Sequence, residues 1–233
     1  MSRLYDLFLQ GGPAMWPMLA LSVSTIACGL ERGIFWVQLL TKEHRIVRDV
    51  LQAARHDLEK AAAIAERAEY LAIGRFLLAP LKLKKPTPET FRLAMEAAGD
   101  KEFIEMRKGD KLLETVVAVA PLLGLLGTVT GLIITFNNLK IGGGGTTADT
   151  TKAAAGIGEA LITTAAGMIV AIVALVIFRV MVTLQSKQID YFSEVGTELE
   201  LIYRQIWYEP SQESADNYQL SSISDRLPIA TDK

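Results

Sequence analysis

Apolar positions along this chain come in two arrangements, long uncharged runs and stripes at helical spacing, and their alternation predicts an all-α architecture. Residues 115–139 (TVVAVAPLLGLLGTVTGLIITFNNL) and 160–178 (ALITTAAGMIVAIVALVIF) contain no Asp, Glu, Lys, Arg or His. Each meets the ~20 apolar residues that a bilayer-spanning helix needs. A third run, residues 13–40, is interrupted only by Glu31 and Arg32 near its second end. There an arginine can snorkel to the headgroups, and a neutralised structural pair is expected. Trp16 and Trp36 stand ~30 Å of helix apart and suit the two interfacial belts.

Between the first and second spans the pattern becomes that of water-soluble helices. Val47, Val50, Ala54, Leu58 and Ala61 form a stripe opposite charges, as in a helix packed on others. Residues 71–83 are apolar but broken by Arg75 and Pro80, which predicts a short buried helix in a turn region. Thr87, Pro88 and Glu89 supply a capping hydroxyl, a first-turn proline and a first-turn acid, so a helix starts there. It is expected to continue, weakened at Gly99 and Gly109, into the second span. After the third span Phe192, Val195, Leu199, Ile202 and Ile206 carry a helical seam onward. That seam can bundle with the 41–111 helices or with copies of itself.

The resulting layout is a lead (1–12), a span (13–40), a helical domain (41–111), a second span (112–139), a glycine-rich loop (140–155), a third span (156–182), a helix (183–208) and a disordered tail (209–233). The lead reads as a short amphipathic helix rather than a signal peptide. The loop lacks the Gly-Lys-Ser/Thr and preceding strand that a phosphate-binding loop requires.

Within the spans, small residues fall in rows. Pro121, Gly124, Thr128, Gly131 and Thr135 share one face of the second, and Ala160, Thr164, Gly167, Ala171 and Ala174 share one face of the third. Gly127 and Gly131 add a GxxxG pair, and such rows let backbones approach closely. Pro121 removes a ladder hydrogen bond and frees the carbonyl of Val117, which protein or trapped water can satisfy and lipid cannot. If both helices begin at the loop, Thr128 and Thr164 lie ~16 and ~12 Å deep, close to one level. A pair of hydroxyls can order a short water chain, although it cannot hold a proton at neutral pH. Glu159, near the loop end of its helix, is either a functional acid at a membrane entrance or an N-terminal acid favoured by the helix dipole.

Composition sharpens this picture chiefly through segregation of charge. Lys and Arg total 24 and Asp and Glu 26, for a net charge of −2, yet the charges sit in blocks. Lys42, Arg45, Arg48 and Arg55 follow the first span; Lys101, Arg107, Lys108 and Lys111 precede the second; Arg179 and Lys187 close the third. Only Arg3, Lys140 and Lys152 mark the other side, which puts the N-terminus outside and the C-terminus in the cytoplasm. The single cysteine, Cys28, excludes an intrachain disulfide. His44 and His56 have no ligand partner at useful spacing, and Lys82, Lys84 and Lys85 read as a solvated face. With no nucleophile–base pair, metal cluster or nucleotide loop, no enzyme, cofactor, metal or nucleic-acid partner is expected.

The blocks LLETVVAVAPLLGLLGTVTGLIITF and GIGEALITTAAGMIVAIVALVIF resemble the ExbB/TolQ family of proton-channel proteins, related more distantly to the flagellar stator protein MotA. The resemblance covers most of the chain, and GLERGIFW in the first span looks more like ExbB than TolQ. It implies a homopentameric ring in an inner membrane, its second and third spans lining a central pore, with a large cytoplasmic helical extension. A single-span partner similar to ExbD, carrying one essential membrane aspartate, and a TonB-like protein are implied as partners. By the family motif Thr128 and Thr164 would line the pore, Glu159 would stand at its outer side and Glu114 at its cytoplasmic end. Thr163, beside Thr164, leaves the pore-facing position open by one residue. The function implied is energy transduction from the proton-motive force to outer-membrane import. A TolQ-like envelope motor and a non-conducting membrane scaffold are the competing readings.

Overall fold

The computed structural model describes residues 8, 11–40, 43–138 and 147–214. Among them the regular structure is helical throughout: α1 (Met15–Leu40), α2 (Glu43–Ala54), α3 (Leu58–Arg67), α4 (Ala72–Leu81), α5 (Pro88–Met106), α6 (Asp110–Asn138), α7 (Thr147–Ile202) and a π-turn (Tyr203–Tyr208). Three stretches, carried by α1, α6 and α7, are long and apolar enough to cross a membrane. The chain divides into two compact units, one drawn from Met1–Phe35 and Arg107–Leu184, the other from Trp36–Met106 and Gln185–Lys233.

In the first unit, Leu113, Val116 and Ala120 of α6 close on Ala171, Ala174 and Met181 of α7, with Leu21 and Cys28 of α1 packed against them. The outward faces stay apolar, with Leu122 63 % and Ile172 60 % exposed. A water-soluble bundle shows polar residues there, so these faces suit lipid or protein contact. Gly109 breaks the helix that the sequence pattern carries from α5 into α6: its φ of +89° is costly for any side chain, and a Cβ there would lie 2.7 Å from Cys28 Sγ. Met18, Thr25, Arg32, Trp36 and Leu39 form the buried stripe of α1 at coiled-coil spacing. Two expectations fail on that stripe. Trp36 is packed inside protein rather than facing outward as a belt residue would, while Trp16 remains exposed. Arg32, instead of snorkelling beside Glu31, is buried with its guanidinium 4.4 Å from the Phe35 ring centroid.

The second unit holds α2–α5 and the C-terminal part of α7. Its core joins Val50 and Ala54 of α2, Ala61 and Ala65 of α3, Ile73 and Leu77 of α4, Phe91 and Met95 of α5, and Phe192 and Leu199 of α7. The stripe from Val47 to Ala61 belongs to two helices, because Asp57 interrupts it and caps α3, accepting hydrogen bonds from the amides of Glu59 and Lys60 at 2.9 and 3.0 Å. Such a cap contributes about 1 kcal/mol. Thr87 caps α5 as its sequence predicts, its hydroxyl accepting from the Thr90 amide. The stretch around Arg75 and Pro80 is the buried helix α4.

At the C-terminus, Phe192, Val195, Leu199 and Ile202 are buried, whereas Ile206 is exposed. The π-turn explains the departure: its i→i+5 bonds hold one more residue per turn and rotate the apolar face. Tyr203 and Trp207 take the inward positions. The Tyr203 hydroxyl donates to the Pro86 carbonyl at 2.7 Å while its ring stacks on Phe91, and the Trp207 indole donates to the Ala54 carbonyl at 2.8 Å. Residues 209–214 extend the helix into the expected tail, and 215–233 lie outside the described residues, as does most of the lead. Helix α7 begins at Thr147, inside the segment read as loop.

One ion pair anchors α4 to α5. Arg75 Nε donates to Glu102 Oε1 at 2.7 Å, its Nη2 reaches Oε2, and its Nη1 donates to the Glu69 carbonyl. The Glu102 side chain is 5 % exposed and that of Arg75 40 %, so solvent screens one side of the pair. Removing Arg75 leaves a buried, uncompensated carboxylate. Arg75→Ala is expected to lower unfolding stability by about 2 kcal/mol, below the usual ~3–5 kcal/mol for a fully buried pair because of that exposure. The double variant Arg75→Met/Glu102→Leu is expected to recover most of the loss in denaturant titrations.

Candidate functional site

Helices α6 and α7 meet along a seam that only small residues permit. A Cβ on Gly124 would stand 3.0 Å from Thr164 Cα, and one on Gly131 3.0 Å from Ala160 Cβ. One on Gly127 would overlap the Thr163 side chain. On Gly167 it would lie 2.6 Å from the Ala120 carbonyl oxygen and 3.1 Å from Gly124 Cα. Opposite Gly124 and Gly167 the obstacle is backbone, which cannot rotate away as a side chain can. The two chains therefore approach backbone to backbone, the arrangement that small-residue rows serve in membranes.

This contact brings hydroxyls to the seam. Thr164 Oγ1 donates across it to the Gly124 carbonyl at 2.9 Å. Thr163, 1 % exposed, donates to the Gly11 carbonyl at 3.0 Å and to the Glu159 carbonyl at 3.2 Å. Thr128 is half-buried and donates to the Leu125 carbonyl of its own helix at 2.7 Å. Thr128 and Thr164 lie within about one turn of each other along the seam, for a different reason than the sequence offers. Counting from Gly156 fails because α7 starts at Thr147. Instead the Thr164–Gly124 bond fixes the register directly, and Gly124 is one turn, ~6 Å, from Thr128.

The structure thus gathers Thr128, Thr163, Thr164, Gly124, Gly127, Gly131 and Gly167, with half-buried Pro121 one turn before Gly124 in α6. Of the two acids, Glu159 is one turn from Thr163 and Glu114 stands apart from the hydroxyls. Glu159 is exposed near Gly12, whose φ is +66° and whose added Cβ would be 3.0 Å from Glu159 Oε1. Glu114 is exposed on α6, ten residues or ~15 Å before Gly124. Thr135, which the sequence placed in the small-residue row but not among the candidate site residues, donates to the Gly131 carbonyl and fills the space beside Gly156. One buried hydroxyl escaped the sequence reading. Thr25 of α1 donates to the Leu21 carbonyl and lies seven residues from both Met18 and Arg32, a spacing that marks it as inward.

Chemically the seam offers hydroxyls, which donate and accept hydrogen bonds, but no group that stores a proton, since no titratable side chain occupies 115–138 or 160–178. Among the described residues no group of three His, Cys, Asp or Glu is placed to hold a metal ion.

Comparison with known proteins agrees with this membrane seam. Residues 68–194, which include most of both helices, match the MotA/TolQ/ExbB proton channel family. The chain is similar to the biopolymer transport protein ExbB-like 1 of Synechocystis sp., at 69 % identity over 210 residues covering 90 % of this chain and 83 % of that protein. It is also similar to ExbB-like 3 of the same organism, at 34 % identity over 204 residues covering 88 % and 97 %. The biopolymer transport protein exbB1 of Vibrio cholerae is 34 % identical over 184 residues, 74 % of this chain and 76 % of that one.

The backbone contact at Gly167 generates a direct expectation. Gly167→Val must push α7 off the Ala120 carbonyl and is expected to destabilise the first unit by at least the ~1–3 kcal/mol typical of overpacking. Gly158→Ala, where an added Cβ meets nothing within 4 Å, is expected to be neutral or stabilising. Thermal unfolding of both variants in the same detergent checks the contrast.

Proposed function

Because the chain belongs to the MotA/TolQ/ExbB proton channel family, we propose that it is the ExbB-like subunit of an inner-membrane motor driven by the proton-motive force. It works with an ExbD-like single-span protein that carries a membrane aspartate and with a TonB-like protein, and it powers outer-membrane import. The chain assembles as a homopentamer whose second and third spans surround a pore. Its N-terminus is periplasmic and its C-terminus cytoplasmic, in keeping with the Lys and Arg placed beside the spans.

The observation that carries this reading is the Thr164–Gly124 hydrogen bond within a span pair devoid of charge. Hydroxyls within about one turn of each other, with no acid of their own, need a carboxylate from another polypeptide to complete a proton path. Thr163 is buried with its hydroxyl committed to Gly11 and Glu159 within the protomer. That favours Thr164 and half-buried Thr128 as the pore-lining pair. Glu159 then serves as the outer entrance and Glu114 as the cytoplasmic exit. A proton crossing the membrane releases ~2.3 kcal/mol per 100 mV. This becomes work when a partner aspartate, charged and then neutralised inside the ring, changes its preferred neighbour and turns the ring about the partner helices.

A non-conducting scaffold is the second reading, favoured by the fact that Thr128 and Thr164 each donate to a backbone carbonyl, as packing alone would arrange. A TolQ-like role uses the same motor with another load. The double variant Thr128→Val/Thr164→Val separates conduction from packing, because valine keeps the volume and loses the hydroxyl. Reconstituted with its partner in liposomes, it is expected to lose at least ~10-fold in proton flux while keeping its assembly. Undiminished flux would favour the scaffold.

A further inference from the structure

Glu43, the first residue of α2, is 2 % exposed, a rare position for an acid outside an ion pair. Its Oε2 accepts a hydrogen bond from Gln188 Nε2 of α7 at 2.7 Å, and its Oε1 has no hydrogen-bond partner among the described residues. Gln188 and Tyr191 face it from α7, with Glu194 acting on the same Tyr191, and its own helix adds exposed His44, whose ring stands edge-on to Tyr191 at 4.9 Å. Among those groups only a protonated His44 would be a cation. A buried carboxylate in that company keeps one donor for two oxygens, so its charge is poorly compensated, whereas the neutral acid fits the same space at lower cost.

We propose that Glu43 is a proton-binding site outside the membrane spans, and that its protonation tightens the seating of α2 against the C-terminal part of α7. Two effects oppose each other at this carboxyl. The N-terminus of α2 and the Gln188 amide favour the charged form, and burial disfavours it. Burial wins, pushing the Glu43 carboxyl up to about 6 from an ordinary 4.5 despite the Gln188 hydrogen bond. The Tyr191 hydroxyl is pushed up to about 12, first by burial and then by the negative charge of Glu43. A carboxyl whose value is raised in the folded state contributes stability that is fully present below its ordinary value and is lost as pH rises through about 6. The seat of α2 therefore firms on acidification and loosens toward neutrality. With the orientation proposed above, that side is the cytoplasm, so α2 would register protons arriving there. The titration itself does not depend on that orientation.

Hydrogen exchange of the α2 amides in the full chain, in lipid nanodiscs and corrected for intrinsic rates, reads the opening equilibrium directly. In the wild type α2 protection is expected to rise about fourfold from pH 7.5 to 5.5. Glu43→Gln is expected to abolish that dependence, and His44→Asn to leave it in place. Gln188→Leu, which removes the donor that favours the charge, is expected to move the transition to higher pH. Equal protection at both pH values in the wild type, a dependence that survives Glu43→Gln, or one that vanishes in His44→Asn would each overturn the proposal.

Discussion

Backbone contact between α6 and α7 is the constraint on which the first unit rests. Gly124 and Gly167 oppose the main chain of the partner helix, so no rotamer change can make room for a side chain there. In lipid the hydrophobic effect does little to join helices, and close packing with hydrogen bonds must do so. The seam meets that demand with glycine, alanine and threonine, and the Thr164–Gly124 bond locks its register. The stretches 115–138 of α6 and 160–178 of α7 carry no charge, so hydroxyls are the polar side chains at this seam.

The second unit is held by different means. Its helices are short, capped at Asp57 and Thr87, and joined by a paired Arg75–Glu102 and by aromatic contacts among Phe76, Phe103 and Phe192. Tyr203 and Trp207 tie the π-turn to Pro86 and Ala54. These are the devices of a water-soluble bundle, in which the hydrophobic effect supplies the main attraction and polar bonds fix the register.

How much of this was legible in the sequence follows from the range of the forces involved. Long apolar runs, uncharged in α6 and broken in α1 only by Glu31 and Arg32, announced α1, α6 and α7, because membrane insertion depends on composition over a whole segment. Thr87 announced a cap because its signal is local. The small-residue rows announced the seam, and the family resemblance singled out Thr128 and Thr164. What depended on distant neighbours was hidden. Gly109 breaks the helix through its positive φ at a point where Cys28 leaves no room for a side chain, Ile206 turns outward because a π-turn intervenes, and Trp36 is buried because α1 presents protein on that face. Asp57 is the exception: it was a readable cap inside a stripe whose periodicity argued for continuity. Glu43 carried no signal of its own, because its burial depends on Gln188, more than a hundred residues later in the chain.

The central claim is that this chain supplies hydroxyls and tight packing for a proton path whose acid belongs to another polypeptide. Proton flux into liposomes under a defined membrane potential, compared for the purified chain alone and for the chain reconstituted with its single-span partner, tests that division of labour most directly. The account predicts no flux above the lipid background for the chain alone and a partner-dependent flux for the complex. A proton-selective current carried by the chain alone would contradict it.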